Sequence, residues 1–586
     1  MKKRVMLILS CLFLSLGFIV AQTTKISGTV VDSNGEPVIS ASVVVKGTTV
    51  GTVTDVDGKF SINVPEGRNT LVFTLVGMKA VEARASQDMK VVMATDETLL
   101  DEVMVVAYGT VKKGSFTGAA SVVDGGMVKK IPATSIDKAL QGASAGVQVA
   151  STSGQPGAAT TVRIRGVGSI NGDSSPLYVI DGVPISSSSN SSGTTTQSDF
   201  SQVAVSFNPL STLNNEDIES ITVLKDASAA SLYGSRAANG VILITTKKGS
   251  QGKPKVSFKA QLGFSSLPDG YDLLDGSEIY EHYWKGYYAK SKRDNPNATA
   301  EQLATFAQQA NTSTQDLFLR NPYNTQYPIG ADGKLVFGAQ LMINTDWMDE
   351  SYRTATSQQY DLNVSGGNNA SQYYVGFGYL NQEGIIIKSN LERYSGRVNV
   401  SSNVKKWFSL GVNSTFSMSQ QNTPNAEGGG SSPIVGAVFM PNVVPLYDLD
   451  DNFNQKYDET TGEPLYNFQN PLFANMNGVA LAYLDIYRTK TYRALVAPWV
   501  EFKPINNLTW RTNFAADYTN MDETQWYNKK YGNAAGAIGG RLYKYAIWNF
   551  TSTLSSTLAY DYTFNDVHHF NIMGGFEAMN NRHYIQ

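Results

Sequence analysis

A mainly β protein is predicted: a small sandwich, then an α+β domain, then an antiparallel sheet of the membrane-barrel type. Three observations predict it. From about residue 253 onward, apolar and polar residues alternate in run after run. Such runs suit strands with one face toward lipid and the other toward a lumen. The composition is turn-rich and aromatic, with 52 Gly, 30 Tyr and 11 % aromatic residues. Finally, the chain opens like an exported protein and then shows no run of 18 apolar residues. A protein that enters a membrane without such a helix must do so as a closed barrel, because open sheet edges leave backbone groups unpaired in lipid.

The export signal is residues 1–21. Lys2, Lys3 and Arg4 form a positive start, Val5 to Val20 an apolar run, and Ala21 a small residue at the expected cleavage point. Cys11, the single cysteine, lies inside the apolar run, so the processed chain is expected to form no disulfide or thiolate metal site. Net charge is −3, without the basic stripe of a nucleic-acid binder.

Residues 25–95 read as a sandwich of about seven short strands. Asn34-Gly35 and Asp57-Gly58 are turn dipeptides, and Pro37 and Pro65-Glu66-Gly67 break the runs. GTVVDSNGEPV, VVVKGT and GTVTDVDGKFSI resemble the carboxypeptidase-D regulatory-like domain, a transthyretin-like sandwich and not a peptidase. Asp55 and Asp57 lack EF-hand spacing, and turn chemistry accounts for them. No metal site and no cofactor is expected.

Residues 96–113 form a linker containing a short β-prone core, Val103, Met104, Val105, Val106 and Ala107, preceded by Asp101 and Glu102. An extended segment of this kind can add to a partner's sheet edge, where main-chain bonds supply the affinity. Asp101 to Ala107 resembles the TonB box of TonB-dependent transporters.

Residues 114–249 mix helix and strand. Helices are expected at 133–141, capped by Thr134 or Ser135, and at 227–237. Strands are expected at 146–150, 161–166, 177–182, 217–225 and 241–247, and a Ser-rich exposed loop at 186–198. GQPGAATTVRIRGVGSINGDSSPLYVIDGVPI resembles the plug domain of TonB-dependent receptors. NPLSTLNNEDIESITVLKDASAASLYGSRAANGVILITTKKG, residues 208–249, resembles the signature of the SusC/RagA family. Gly142-Ala143-Ser144-Ala145-Gly146 matches G-x-S-x-G. A nucleophile elbow needs strand before and helix after, and the predicted order here is the reverse. No catalytic residue is assigned, and the chain is not read as an enzyme.

Residues 253–586 read as part of a transmembrane β-barrel, interrupted by a helix-prone insertion at 276–318. The acidic stretch Asp450 to Asp458 reads as a solvated loop. About nine strands are countable, too few to enclose a plug, since plugged barrels need about 22. The sequence is therefore expected to be the first portion of a longer barrel, unable alone to close into a heat-resistant form.

The resemblance implies TonB-dependent import of oligosaccharides or peptides across the outer membrane of Bacteroidota-like bacteria. It implies a SusD-like surface lipoprotein as lid, TonB with ExbB and ExbD as energy source, and a periplasmic N-terminal domain in a protein embedded in outer-membrane lipid. The alternative is a TonB-dependent siderophore or cobalamin receptor. Substrate-contacting residues are not legible. Trp526-Tyr527 suits a sugar-stacking loop, an interfacial girdle or core packing.

Overall fold

The computed structural model describes residues 23–586 apart from 33–34, 66, 76–77, 95–102, 107–108, 113–117, 131–134, 152, 159, 171–173, 186–208, 269, 271–272, 314–319, 425–430, 470–475, 533–538 and 566–567. The export signal and the Ser-rich loop lie outside the described residues. Two compact units emerge: Met1–Met104 with Gly109–Thr117, and Val105–Tyr108 with Gly118–Gln586.

In the first unit, seven strands form a sandwich: β1 (Thr23–Asp32), β2 (Ser42–Val45), β3 (Gly51–Val53), β4 (Lys59–Pro65), β5 (Thr70–Thr74), β6 (Val81–Arg84) and β7 (Met89–Met93). One sheet runs β4-β1-β7 and the other β3-β2-β5-β6. Alternation drives this packing. In β4, Phe60, Ile62 and Val64 are buried while Lys59, Ser61 and Asn63 are exposed. Phe60 meets Phe73 of the opposite sheet edge-on at 5.3 Å. The acidic turn is structural, because Asp55 Oδ1 accepts the N–H groups of Asp57 and Lys59, and Gly58 takes φ 72°. Short strands follow at Val103–Val106 (β8) and Gly109–Lys112 (β9).

The second unit begins with the plug. Its strands are β10 (Ala120–Asp124), β11 (Val147–Ser151), β12 (Thr160–Ile164), β13 (Leu177–Ile180), β14 (Val183–Ile185), β15 (Ile218–Leu224) and β16 (Val241–Thr246). Five form a mixed sheet ordered β10-β15-β16-β13-β14, and β11 pairs with β12 as a hairpin. All four residues of β13 and the last four of β15 are buried, as expected of strands covered on both faces. Two helix expectations need correction. Over 133–141, only Ile136–Ala139 is helical; Ser135 sits at the cap position without a side-chain cap bond, and Thr134 lies outside the described residues. Over 227–237, the helix Ala227–Ala230 passes into a 3-10 segment, Ser231–Ala237, broken at Gly234, whose φ of 64° no right-handed helix accommodates. Small residues permitted close packing there, but glycine lets the chain turn.

Nine antiparallel strands follow: β17 (Gly252–Ser265), β18 (Ala355–Gly367), β19 (Ser371–Glu383), β20 (Asn390–Lys405), β21 (Phe408–Asn422), β22 (Ile486–Ile505), β23 (Leu508–Tyr527), β24 (Arg541–Phe564) and β25 (His568–Ile585). They pair strictly in chain order as one sheet. One end carries the short turns 368–370, 406–407 and 506–507. The other carries the long segments 266–354, 423–485 and 528–540 together with the six-residue connection 384–389. In outer-membrane barrels short turns face the periplasm and long loops the exterior. On β20, Arg393, Ser395, Arg397 and Asn399 are buried, whereas Tyr394 and Val400 on the other face are exposed.

The predicted insertion is a helical pair, Gly276–Asp294 and Ala300–Ser313. Asp275 and Glu278 form a reciprocal capping box, whose N–H donors hold the Asp275 carboxyl below its ordinary range. Tyr280, Trp284, Ala304 and Ala307 pack together beside Tyr323. Asp450 is a turn residue, its carboxylate accepting the N–H groups of Asn452 and Asn454.

Candidate functional site: the plug seat on the barrel wall

The plug is held against the inward faces of β18, β19, β20 and β22 by buried polar contacts, with a further ion pair from β17. Each plug anchor follows from local sequence. Asp181-Gly182 is the two-residue turn between β13 and β14, with φ of 49° and 85°. Asx-Gly is the pair such a turn favours, since both residues need positive φ. The turn presents the Asp181 carboxylate to the N–H and hydroxyl of Thr246, at 2.9 and 2.6 Å. A second anchor is the pair of short turns Pro209–Thr212 and Asn215–Asp217. Asn214 caps the latter by accepting the N–H of Glu216.

The wall supplies complementary groups. Arg397 of β20, 1 % exposed, donates to Thr246 Oγ1 at 2.7 Å and pairs with Asp181 at 3.3 Å and Asp217 at 3.6 Å. Arg393, four residues earlier on the same face, donates to the carbonyls of Ser211 and Leu213, both at 2.7 Å. Tyr374 of β19 donates its hydroxyl to Asp217 at 2.7 Å. Asn214 donates to Asp361 of β18 at 2.7 Å. Asn399 donates to the Lys247 carbonyl, and Arg493, held in a fork by Asp517, reaches Thr212. Lys259 of β17 pairs with Glu216 at 2.7 Å. Buried charges of this kind persist only when paired and hydrogen-bonded, and removing one partner costs about 3–5 kcal/mol.

Two glycines make room for this seat. A Cβ on Gly378 would stand 2.3 Å from Asn214 Nδ2 and 2.7 Å from Ser395 Oγ; one on Gly376 would stand 2.7 Å from Asp217 Oδ1. The alternation in Gly376-Phe377-Gly378 thus puts Phe377 outward, 60 % exposed, and bare backbone inward. Within the plug, N–H groups of Ala119 and Ala229 hold the Asp226 carboxyl below its ordinary range. Burial, and then Lys129 beside it, lowers the Lys247 ammonium.

The segment expected as a TonB box is partly placed. Val103 to Val106 form a strand, while Asp101, Glu102 and Ala107 lie outside the described residues. Trp526 and Tyr527 end strand β23 rather than forming a loop. Tyr527 meets Tyr487 and Tyr543 edge-on, as in an interfacial girdle. Ser144 of the G-x-S-x-G match is hydrogen-bonded to Ser121 and lies before strand β11, not helix. Period-two alternation in the sequence marks the stretches bearing Arg397 and Tyr374 as strands but assigns neither side chain a role. The missed signal was two arginines four residues apart on the lumen-facing parity of a barrel strand.

Residues 26–105 match the CarboxypepD_reg-like domain model, and residues 112–241 match the TonB-dependent Receptor Plug Domain model. The chain is 34 % identical to the TonB-dependent receptor SusC of Bacteroides thetaiotaomicron, over 80 % of this chain and 41 % of that protein. It matches a solved structure of the RagAB peptide importer in the closed-closed state with a TM-score of 0.61 and 26 % identity, over 80 % of this chain and 48 % of that one. The chain belongs to the SusC/RagA family of TonB-dependent receptors. A further relative, the TonB-dependent receptor P3 of Formosa agariphila, is 31 % identical over 95 % of this chain and 48 % of that protein. The chain thus spans about half the length of the curated relatives it matches. The seat joins the SusC/RagA plug to the first part of the family's barrel sheet, and β8 lies at the junction of the two matched domains.

Proposed function

We propose that this protein is the plug-bearing part of an outer-membrane importer that takes up oligosaccharides or peptides. RagAB, to which it is similar, is a peptide importer, and the other relatives are TonB-dependent receptors. The observation that carries the reading is the seat itself: Arg393 and Arg397, both at 3 % exposure or less, tie three separate plug segments to one barrel strand. Removing a partner from even one such buried pair costs several kcal/mol, so opening needs work delivered from outside the plug. TonB supplies that work by strand addition to Asp101, Glu102, Val103, Met104, Val105, Val106 and Ala107, drawing on the inner-membrane gradient through ExbB and ExbD. A SusD-like lipoprotein covers the end that carries the long segments, and the sandwich faces the periplasm. In the full-length protein, deleting residues 101–108 should abolish uptake while leaving substrate binding at cells intact. Undiminished uptake by the deletion would remove the coupling role.

A further inference from the structure

The plug meets the wall a second time, away from the charged seat and at the end that carries the long segments. The contact is the tip of the β11–β12 hairpin. Pro156, buried at that tip, offers its carbonyl to Gln421 Nε2 of β21 at 2.8 Å. A Cβ on Gly157 would stand 3.1 Å from the same amide and 3.4 Å from Leu391 Cδ1 of β20. A Cβ on Gly384 would stand 2.9 Å from Pro156 Cδ, so the connection 384–389 has to be bare there for the tip to settle. β11 and β12 form a two-stranded sheet of their own, apart from the five-stranded plug sheet, with Val149, Val162 and Ile164 rooted in the plug core. The hairpin can therefore tilt about its root without breaking the larger sheet.

The same connection is built into the long segments. Ile387 packs with Trp347, Met440, Val444, Leu446 and Val479, which come from two of them. Its N–H donates to the Ser351 carbonyl at 3.1 Å, at the end of the short helix Trp347–Ser351. Arg353, two residues further on, closes the connection. Its Nε donates to the Gly384 carbonyl at 3.1 Å, its Nη2 to the Ser389 carbonyl at 2.9 Å, and its Nη1 pairs with Glu383 at 3.3 Å. Its own N–H donates to the Ile385 carbonyl at 2.7 Å. A rigid donor fork that holds both ends of one connection fixes it as a unit. A shift of the segment bearing Trp347 and Arg353 thus moves Gly384 against the hairpin tip.

We propose that the connection 384–389 is an outer latch that ties the plug to the state of the long segments. While Ile387 and Arg353 hold the connection, the hairpin tip stays seated; a displacement of those segments frees the tip before the charged seat opens. The inference rests on the import reading and concerns the regulation of the same plug. The order of release follows from the bonds. At the tip a neutral amide donates one hydrogen bond. At the seat buried charges are paired, and charge-assisted bonds are about twice as strong as neutral ones. An occupant of the mouth meets the long segments first, so the latch is the part of the plug's attachment placed to respond to it.

The test uses the full-length protein with any other cysteine replaced by serine and one reporter thiol at a time. Ala158→Cys, 8 % exposed, reports the tip, and Leu213→Cys, 2 % exposed, reports the seat. Arg353→Met and Ile387→Ala disturb the latch from the mouth side, and Gln421→Ala removes the tip bond directly. Trp284→Phe, in the packed helical insertion, is the control. The hold of one hydrogen bond corresponds to about fivefold in an equilibrium constant, so each of the three latch variants should speed maleimide labelling at 158 about fivefold and leave 213 within about twofold. Arg353→Met combined with Gln421→Ala should be no faster than the faster single variant, because both release the same contact. Acceleration below about threefold at 158 in either mouth variant overturns the latch. So does equal acceleration at 158 and 213, which means that the plug leaves as one body. A double variant whose effect is the product of the singles, or a control as fast as the latch variants, overturns it too. Import is judged separately, by uptake in the parent and in the 101–108 deletion, so the two failures are distinguishable.

Discussion

Replacing Arg397 by Met should loosen the plug by a predictable amount. The methionine keeps much of the side-chain volume but leaves the carboxylates of Asp181 and Asp217, 6 % and 5 % exposed, without their cation. Breaking a buried pair in this way costs about 3–5 kcal/mol, which converts to about two to three and a half powers of ten in the opening equilibrium. The single cysteine of the sequence lies at position 11, inside the expected signal, so within residues 22–586 a reporter thiol at Leu213 would stand alone, and any cysteine elsewhere in the full-length protein is replaced by serine. Leu213 is 2 % exposed and its carbonyl is held by Arg393, which makes maleimide labelling of Leu213→Cys a readout of seat opening. In the full-length protein, Arg397→Met should speed labelling at least a hundredfold. Adding Asp181→Asn and Asp217→Asn should recover most of that loss, because an ion cluster replaced as a whole is often close to neutral. Labelling within threefold of the parent in the Arg397→Met protein would refute the argument that this charge holds the plug.

Gly378→Ala drives a methyl into Asn214 and Ser395 and should cost roughly 1–3 kcal/mol of seat stability, read by the same labelling assay as an increase of about fivefold or more. Phe60→Ala empties the sandwich where two sheets meet and should lower its unfolding free energy by about 3–5 kcal/mol, measured by denaturant titration. Tyr280 and Tyr323 in the helical insertion are each pushed up to about 12, chiefly by burial. Folding prefers their neutral forms, so the packing they support is intact below pH 10 and is lost as pH rises through 12. Tyrosinate absorbance at the surface residues should appear first, with the buried pair ionising only as the helices separate.

Elements whose pattern is local were legible in the sequence. The sandwich turn Asp57-Gly58, the hairpin Asp181-Gly182 and the alternation of β20 each encode their geometry within a few residues. The helical insertion was legible because no period-two pattern survives across 276–313. The helix over 227–237 was misread because small residues signal packing without saying whether glycine will continue a helix or reverse it, and Gly234 reverses it. The seat was invisible for a different reason. Arg393 and Arg397 are separated from Ser211, Leu213 and Thr246 by about 150 to 180 residues, and no local rule links them. Only the parity of two arginines on a barrel strand hinted that something charged must face them.

The register of β10 on β15 has a mechanical consequence. Ala120 pairs with Leu224 and Asp124 with Ser220, so the N-terminal ends of the two strands point in opposite directions. Tension entering ahead of Ala120 is resisted at Asp217, just before β15 begins, where Tyr374 and Arg397 grip the chain. The two loading points therefore sit at opposite ends of the joint, and the load falls on all five residue pairs at once, as in a lap joint, rather than peeling them singly. A tug from upstream must therefore shear the whole joint before the wall's grip is bypassed.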